Sequence, residues 1–490
     1  MSKLIISLFV VVLFVLQLVS SQQCETGSVQ FTSDLSNLSD WDHYWERTVG
    51  SGHAVLALRE DWRRALALSH EKLGFQSVRF HGIFDDDLSV VQLDSNGSII
   101  YSWYDVDQAY DYIVELGMAP YVELSFMPEL LASGNATIFH YKGNITPPKN
   151  YTQWSNLIQA FITHVVDRYG MDVVSQWQFE IWNEPNCGFW SSDQTNYFKL
   201  LLETFNAIKS IYPQLSVGGP ATCQSAWIPE TLAFAKANGI QLDFVSTHEY
   251  PTDIQPLQRN IMKQVLTNSR QQVGPNMKLY YSEYNDGLFF RHDTTYASAF
   301  IMFNIPDVYG IADIFSWWCF SDVFEEQGQQ SVPFNQGFGL LTIYDIPKPS
   351  FKAFELLHET GKMRANVTGE HPTAGVFTTL SDDEIMVIIY NHNIPDAPIA
   401  NETICVTLEN IQGTITDSYL RRIDHDNCNP IATWTAMGEP EYPTKSQIDQ
   451  LKAAAEFNYQ PIDFNQNGNS LTFTLEVMPQ GVAAVTFKFQ

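Results

Sequence analysis

Two glutamates follow apolar runs in a way that suits paired acid and base chemistry. Glu184 comes after residues 176–182 (QWQFEIW) within Trp182-Asn183-Glu184-Pro185, and Glu283 comes after MKLYYS. A carboxyl group set just past a buried strand is partly desolvated, which strengthens its hold on a proton. Cleaving an acetal needs two such groups in opposite states. One must protonate the leaving oxygen, and the other, ionised, must meet the anomeric carbon. At a separation of ~5–5.5 Å the second can attack directly, so configuration is retained. Their surroundings must then drive the two pKa values apart. Arg79 can hold Glu283 ionised, Tyr250 can steady its carboxylate, and Asn183 can hydrogen-bond a sugar 2-hydroxyl. His81, His248 and Trp318 stand in similar runs and join the candidate site, whereas Glu180 and Glu249 read as structural.

Groups of this kind need a frame that brings distant segments to one place. Short apolar runs at 76–84, 119–126, 176–182, 214–218, 242–250, 278–285 and 314–322 read as strands buried on both faces, as in a parallel sheet. An eighth is expected within 46–57. Amphipathic helical patterns lie between them, at 61–73, 105–116, 151–169, 194–211, 229–237, 256–271 and 294–309, and Gly74, Gly117, Gly170 and Gly239 follow four of them. Repeated β-α units over about 300 residues predict a (β/α)8 barrel, whose reacting groups sit at the C-terminal ends of the strands. An open doubly wound sheet is the alternative, but no glycine-rich phosphate loop follows the first strand.

From about residue 365 the pattern changes to antiparallel strands at 376–380, 385–391, 403–408, 413–422, 470–477 and 481–489, with a helical insert at 445–455. The fold class is therefore α/β, a barrel over 45–362 with a C-terminal β-sandwich accessory domain. That second domain is expected to combine 24–44 with 363–490.

The ends and the composition set the compartment. Lys3, an apolar run over 4–19 and the small residues Ser20 and Ser21 predict a signal peptide over 1–21, with no membrane association after its removal. Glycosylation sequons begin at Asn37, Asn96, Asn135, Asn144, Asn150, Asn366 and Asn401, and each such Asn is expected on the surface. A secreted or lysosomal glycoprotein follows. The chain has 55 acidic and 27 basic residues, a formal net charge of −28, which excludes nucleic-acid partners. Among six cysteines, Cys405 and Cys428 are expected to form a local bridge, and Cys187 and Cys319 to be buried thiols. No Gly-X-Ser-X-Gly elbow or His-Glu-X-X-His helix is present, and the site histidines are scattered, so no metal and no cofactor is expected.

Longer stretches carry a family likeness. VRFHGIFDDD (78–87), PYVELSFMPELLASG (120–134), FEIWNEPN (179–186), DFVSTHEY (243–250), SEYND (282–286), WCFSDVFEE (318–326) and MGEPEYPTKSQIDQL (437–451) resemble glycoside hydrolase family 39, in its β-xylosidase branch. The likeness covers roughly 40–490. It implies a retaining double displacement with Glu184 as acid/base and Glu283 as nucleophile, on a xylo-oligosaccharide or xyloside. It implies contacts to the non-reducing xylose from Arg79, His81, Asn183, His248, Tyr250 and Trp318. It also implies that Glu325 or Glu326 bonds a sugar hydroxyl, and it allows a homo-oligomer. Trp190 is expected on the leaving-group side. The runner-up branch is α-L-iduronidase, whose uronate substrate calls for cations, yet Glu249 and Tyr250 follow His248 and Phe-Glu-Glu adds negative charge. A third reading, from another class, is an inactive carbohydrate-binding protein.

Overall fold

The computed structural model describes residues 24, 26–254, 257–288 and 291–490. The expected leader lies outside these residues. No helix among the described residues is long and apolar enough to cross a membrane.

The first strand, β1 (Val29–Asp40), belongs to the C-terminal sheet. Eight strands close the expected barrel, with two short hairpins (Val91–Leu93 with Ile99–Tyr101, Thr137–Ile138 with Gly143–Asn144) in its loops: β2 (Val49–His53), β3 (Ser77–His81), β4 (Ala119–Glu123), β5 (Gln178–Glu180), β6 (Ser216–Thr222), β7 (Phe244–Glu249), β8 (Lys278–Tyr284) and β9 (Ile314–Trp317). Every neighbouring pair is parallel, and the order around the barrel is the order in the chain. Eight helices flank it: α1 (Glu60–Leu73), α2 (Tyr104–Glu115), α3 (Tyr151–Tyr169), α4 (Gln194–Lys209), α5 (Ile228–Ala237), α6 (Ile261–Val273), α7 (Thr295–Asp307) and α8 (Pro349–His358). Most observed strands are shorter than the apolar runs suggest, and β6 instead extends past its run to Thr222. Several runs continue past the ladder into the loops of the barrel mouth, where Tyr250 and Trp318 line a cavity while Phe84, Phe126, Trp182 and Phe320 stay in the core.

The α7 helix explains how the two domains join. Its sequence TYASAFIMFNIPD has no polar face, and every residue from Tyr296 to Pro306 is buried. A helix apolar all round must be covered on both sides. Here the barrel covers one side and the C-terminal sheet the other, through Phe303 against Tyr390 and His392. Two arginines fasten the seam. Arg259 donates to the carbonyls of Thr373 and His392, and Arg364 to that of Pro306.

The sandwich is one nine-stranded sheet curled on itself. Its order is β14 (Ile415–Ile423), β17 (Gly481–Phe489), β12 (Glu384–Asn391), β11 (Ala374–Leu380), β10 (Met363–Thr368), β1, β13 (Glu402–Glu409), β16 (Ser470–Val477) and β15 (Phe464–Asn467). Phe473 on β16 meets Phe487 on β17 with ring centroids 5.6 Å apart, although these strands are not neighbours, so the two wings face each other. β1 joins the wings: its residues 29–34 pair with β13, and its residues 32–34 and 38–40 pair with β10 on either side of an irregularity between Asp34 and Leu38. β1, β10 and β15 add to the six expected strands. Their sequences are largely polar, and the outer half of β1 is exposed. Besides the expected insert, α10 (Lys445–Ala454), a short α9 (Pro430–Ala436) precedes it.

This strand order overturns the expected Cys405–Cys428 bridge. Cys405 on β13 is bonded to Cys24 at the entrance to β1, its neighbour in the sheet. Cys428 follows β14, at the far edge, and is a buried free thiol. Cys187 is not free either; it is bonded to Cys223, while Cys319 is a buried thiol. One sequon also departs from expectation. Six of the seven asparagines are exposed, but Asn144 is buried and its amide donates to the Gly134 carbonyl.

Peptide mapping without reduction should recover Cys24 joined to Cys405 and Cys187 joined to Cys223. Alkylation of the unfolded, unreduced chain should label only Cys319 and Cys428, and a peptide joining 405 to 428 would contradict this connectivity. Because the Cys24 bridge closes a very long loop, Cys24→Ser should lower unfolding stability by about 2–5 kcal/mol in chemical denaturation.

Candidate active site

The polar ends of five barrel strands converge at the C-terminal mouth. Arg79 and His81 come from β3, Asn183 and Glu184 from the turn after β5, His248 and Tyr250 from the end of β7, Glu283 from β8 and Trp318 from just beyond β9. One oxygen of Glu184, one of Glu283 and a ring nitrogen of His248 all lie within 4.8 Å of one another.

Arg79 is fully buried and organises one side of this group. Its Nε donates to Glu180 at 2.6 Å, its Nη1 to Glu283 at 2.6 Å and its Nη2 to Asn183 at 2.9 Å. The Glu123 carboxylate lies 2.8 Å from the same Nη2. Tyr250 donates its hydroxyl to the other oxygen of Glu283 at 2.9 Å. Glu283 therefore holds charge-assisted bonds that favour its ionised form. Glu184 has no cation in contact with it. His248 Nδ1 lies 2.8 Å from its Oε1.

The turn carrying Glu184 is unusual in its backbone. Trp182 and Glu184 both have positive φ, 71° and 39°, a region that side-chain-bearing residues rarely enter. Such conformations persist where surrounding contacts over-determine them. Here the Glu184 N–H donates to the Ala221 carbonyl at 2.8 Å. Asn186 and Cys223 exchange two hydrogen bonds of 3.0 Å, and the Cys187–Cys223 bridge ties the same two loops covalently.

Burial raises the carboxyls of Glu184 and Glu283 above the ordinary glutamate range, and neighbours then separate them. Glu184 stands higher, because after desolvation its largest influence is the negative charge of Glu283. Glu283 is pulled back by Arg79, His81 and the Tyr250 hydroxyl. Burial works against a charge on His81, but the Glu123 carboxylate 2.7 Å from Nδ1 outweighs it and pushes the imidazole up to about 10. His248 goes the other way. Burial, then Arg79 and His81, hold it well below the usual histidine range, so it is neutral.

These groups open onto a cavity of about 350 Å³, at the small end of ligand sites (~300–1,000 Å³). His81, Asn183, Glu184, Tyr250, Glu283, Trp318 and Glu326 line it, with Phe139, Phe189 and Phe338 as further aromatic walls. Of the residues expected to touch a sugar, Arg79 and His248 lie beneath the floor, fully buried behind the carboxylates. The two rim glutamates separate. Glu326 faces the cavity, 3.5 Å from His81 Nε2, whereas Glu325 turns to His53 and Arg59. Trp190 does not line the cavity; it packs edge-on against Trp182 in the core, and Phe189 takes the wall position. Glu249 is buried against Ser225, and burial pushes it up to about 7. A larger cleft of about 1010 Å³ lies at the domain seam, around Arg259 and Arg364, and contains neither carboxylate of the pair.

Sequence reasoning passed over Glu123, Ser282 and the Cys187–Cys223 bridge. Glu123 carried a signal: it is an acidic residue inside the otherwise apolar strand PYVELSF. The bridge left none, since its partners are 36 residues apart in unlike loops.

Comparison with known proteins places this geometry in a family. A β-xylosidase of Caldicellulosiruptor saccharolyticus is 42% identical over 465 residues, covering 91% of this chain and 95% of its own. One from Geobacillus stearothermophilus is 33% identical over 439 residues, covering 84% and 86%. The crystal structure of a monomeric β-xylosidase from Caulobacter crescentus superposes with a TM-score of 0.87 at 30% identity, covering 94% and 99%. The profile of glycosyl hydrolases family 39 matches residues 30–470, and the chain belongs to that family.

Proposed function

We propose that the protein is a retaining exo-β-xylosidase in which Glu283 is the nucleophile and Glu184 the acid/base. The observation that carries this reading is the approach of the two carboxylates within 4.8 Å, one held by Arg79 and Tyr250 and the other without a cation. An inverting pair stands ~6.5–9.5 Å apart to admit a water between its members. In the first step a Glu283 oxygen bonds to the anomeric carbon as the glycosidic bond breaks, and the Glu184 proton passes to the leaving oxygen. In the second, Glu184 takes a proton from water, the water oxygen bonds to the anomeric carbon and Glu283 is released. His81, Asn183, Trp318 and Glu326 are placed to hold the sugar. A small cavity suits one terminal residue, and the family relatives named above support xylose. The iduronidase reading fares worse: Arg79 is spent beneath the floor on carboxylates, and Glu326 adds an acid where a uronate would need a cation.

Export through the secretory pathway is part of the same proposal. It is supported by the leader-like N-terminus, six exposed sequons and two bridges. Glycopeptide analysis should find sugar at several of the six and none at Asn144.

Glu184→Ala should lose activity on xylobiose far more than glycosylation of the enzyme by dinitrophenyl xyloside. General acid catalysis is typically worth ~10²–10⁴-fold, and a dinitrophenolate scarcely needs the proton. Added azide should restore turnover and give β-xylosyl azide. Equal loss on both substrates without rescue would remove Glu184 from the mechanism, and α-xylosyl azide would remove Glu283 as nucleophile. A 2-fluoro xyloside should label the peptide containing Glu283.

The pH profile of kcat/KM should be bell-shaped. Activity rises as Glu283 ionises and falls as Glu184 loses its proton. Tyr250→Phe removes a bond that favours ionised Glu283, so the rising limb should move to higher pH by roughly half to one unit, while the falling limb stays nearly in place. A shift of the falling limb alone would contradict the assignment.

A further inference from the structure

Beneath the candidate site runs a chain of hydrogen bonds whose directions are fixed by its first member. Glu180 is fully buried. Its Oε2 accepts from Arg79 Nε at 2.6 Å, and its Oε1 accepts from the Tyr121 hydroxyl at 3.0 Å and the Ser282 hydroxyl at 2.7 Å. A carboxylate can only accept. Ser282 has one O–H, and it is spent on Glu180. The Ser282 oxygen, 3.2 Å from His248 Nε2, can therefore only accept from that nitrogen. So Nε2 carries the proton of His248. A neutral imidazole has one N–H, which leaves Nδ1 as a bare acceptor. Nδ1 lies 2.8 Å from Glu184 Oε1. A proton must lie between them, and only Glu184 can supply it.

We propose that Glu180 and Ser282 are positioning residues that fix the tautomer of His248 and thereby keep the proton on Glu184. This rests on the reading of Glu184 as acid/base. The opposite tautomer would place a bare Nε2 against the Ser282 oxygen, two lone pairs 3.2 Å apart in a buried site. The same arrangement serves both halves of the reaction. In the first step Glu184 gives its proton to the leaving oxygen and its carboxylate is left facing a bare nitrogen. The lone pair there repels the carboxylate, which makes it a strong acceptor for the proton of the attacking water. Taking that proton restores the starting bond, and His248 keeps its own proton throughout. Glu180 thus acts on both carboxyls: through Arg79 it sets the group that holds Glu283 ionised, and through Ser282 and His248 it holds Glu184 protonated. The other charged or titratable groups facing Glu184 are Glu283, His81, Arg79, Glu326 and Tyr250; none of them contacts the Ser282 hydroxyl, and Glu180, which does, keeps its bonds to Arg79 and Tyr121 when that hydroxyl is removed.

Ser282→Ala removes the acceptor at Nε2, so His248 is free to place its proton on Nδ1 and donate to ionised Glu184. The falling limb of the xylobiose profile should move to lower pH by roughly one unit, about a tenfold loss above the limb, with the rising limb unmoved. Glycosylation by dinitrophenyl xyloside should change by less than about twofold, because it hardly uses the proton. Ser282→Thr keeps the hydroxyl and should keep the wild-type profile. An unmoved falling limb in a folded Ser282→Ala variant would overturn the proposal. A second measurement needs neither a variant nor turnover: neutron diffraction from deuterated wild-type crystals, below the falling limb, should place deuterium on His248 Nε2 and on Glu184. Deuterium on Nδ1 would overturn the proposal even if the azide experiment upholds Glu184 as acid/base. If azide rescue fails while the deuterium lies on Nε2, the fault lies with the assigned role of Glu184 and not with the relay.

Discussion

The Arg79 guanidinium is the interaction on which the site depends. It is a full charge inside a closed barrel, with no exposure to solvent, and it contacts Glu123, Glu180 and Glu283. Burying an unpaired charge of this kind is prohibitive, and removing one partner of a buried pair commonly costs about 3–5 kcal/mol. The planar fork of arginine meets these neighbours in fixed directions, which a lysine ammonium cannot reproduce. Three strands are thereby held in register at their polar ends: β4 through Glu123, β5 through Glu180 and β8 through Glu283. The barrel ladder brings these ends together, and the guanidinium decides how their carboxylates are spaced.

That arrangement also explains how two glutamates within 4.8 Å of each other can differ. Burial pushes both toward the neutral form. Glu283 is compensated by direct contact with Arg79 and Tyr250 and by His81 at longer range, whereas Glu184 feels Arg79 and His81 only from a distance and the charge of Glu283 acts against it. Once Glu283 is ionised, its charge acts on Glu184 and discourages a second ionisation. The asymmetry is thus self-reinforcing: one cation placed on one side of the pair sets the state of both. His81 is held charged by Glu123 and would otherwise lose its proton to burial, so Glu123 supports the Glu283 side of the pair at one remove.

The barrel, the pair of glutamates and most of the cavity were legible because each leaves a local mark. Parallel strands leave apolar runs, and a carboxyl group at a strand end leaves an acidic residue directly after such a run. What was not legible depends on neighbours distant in sequence. Cys405 pairs with Cys24 because β13 lies beside β1 in a curled sheet whose order does not follow the chain. β1 itself is half polar, since its outer half runs beyond its pairing with β13 and meets solvent. Glu325 and Glu326 are adjacent and alike, and only the fold sends one to His53 and the other into the cavity. Arg79 and His248 have the chemistry of sugar ligands, but only the fold shows their depth: both are fully buried and lie outside the lining of the cavity.

The loop bearing Glu326 illustrates a second way in which buried charge is put to structural use. His53 is fully buried on β2, stacked on Tyr141 with ring centroids 3.7 Å apart. Its Nε2 lies 3.2 Å from Asp85 and 3.3 Å from Asp87, and its Nδ1 lies 3.9 Å from Glu325. Burial alone would neutralise this ring. The three carboxylates outweigh it, Asp85 foremost, and push the imidazole up to about 10, so it carries a charge. An imidazolium there draws Glu325 away from the cavity, and Arg59 reinforces the pull from the solvent side at 3.7 Å. With Glu325 held on one face of the segment, its neighbour Glu326 is turned to the other, beside His81 and the cavity. The N–H of His140 donates to the Glu326 carbonyl at 2.8 Å and fixes the backbone in that orientation. Two successive acids of the same type are thus sorted by one buried histidine: the first is consumed as a counter-ion, and the second is left beside His81 in the wall of the cavity.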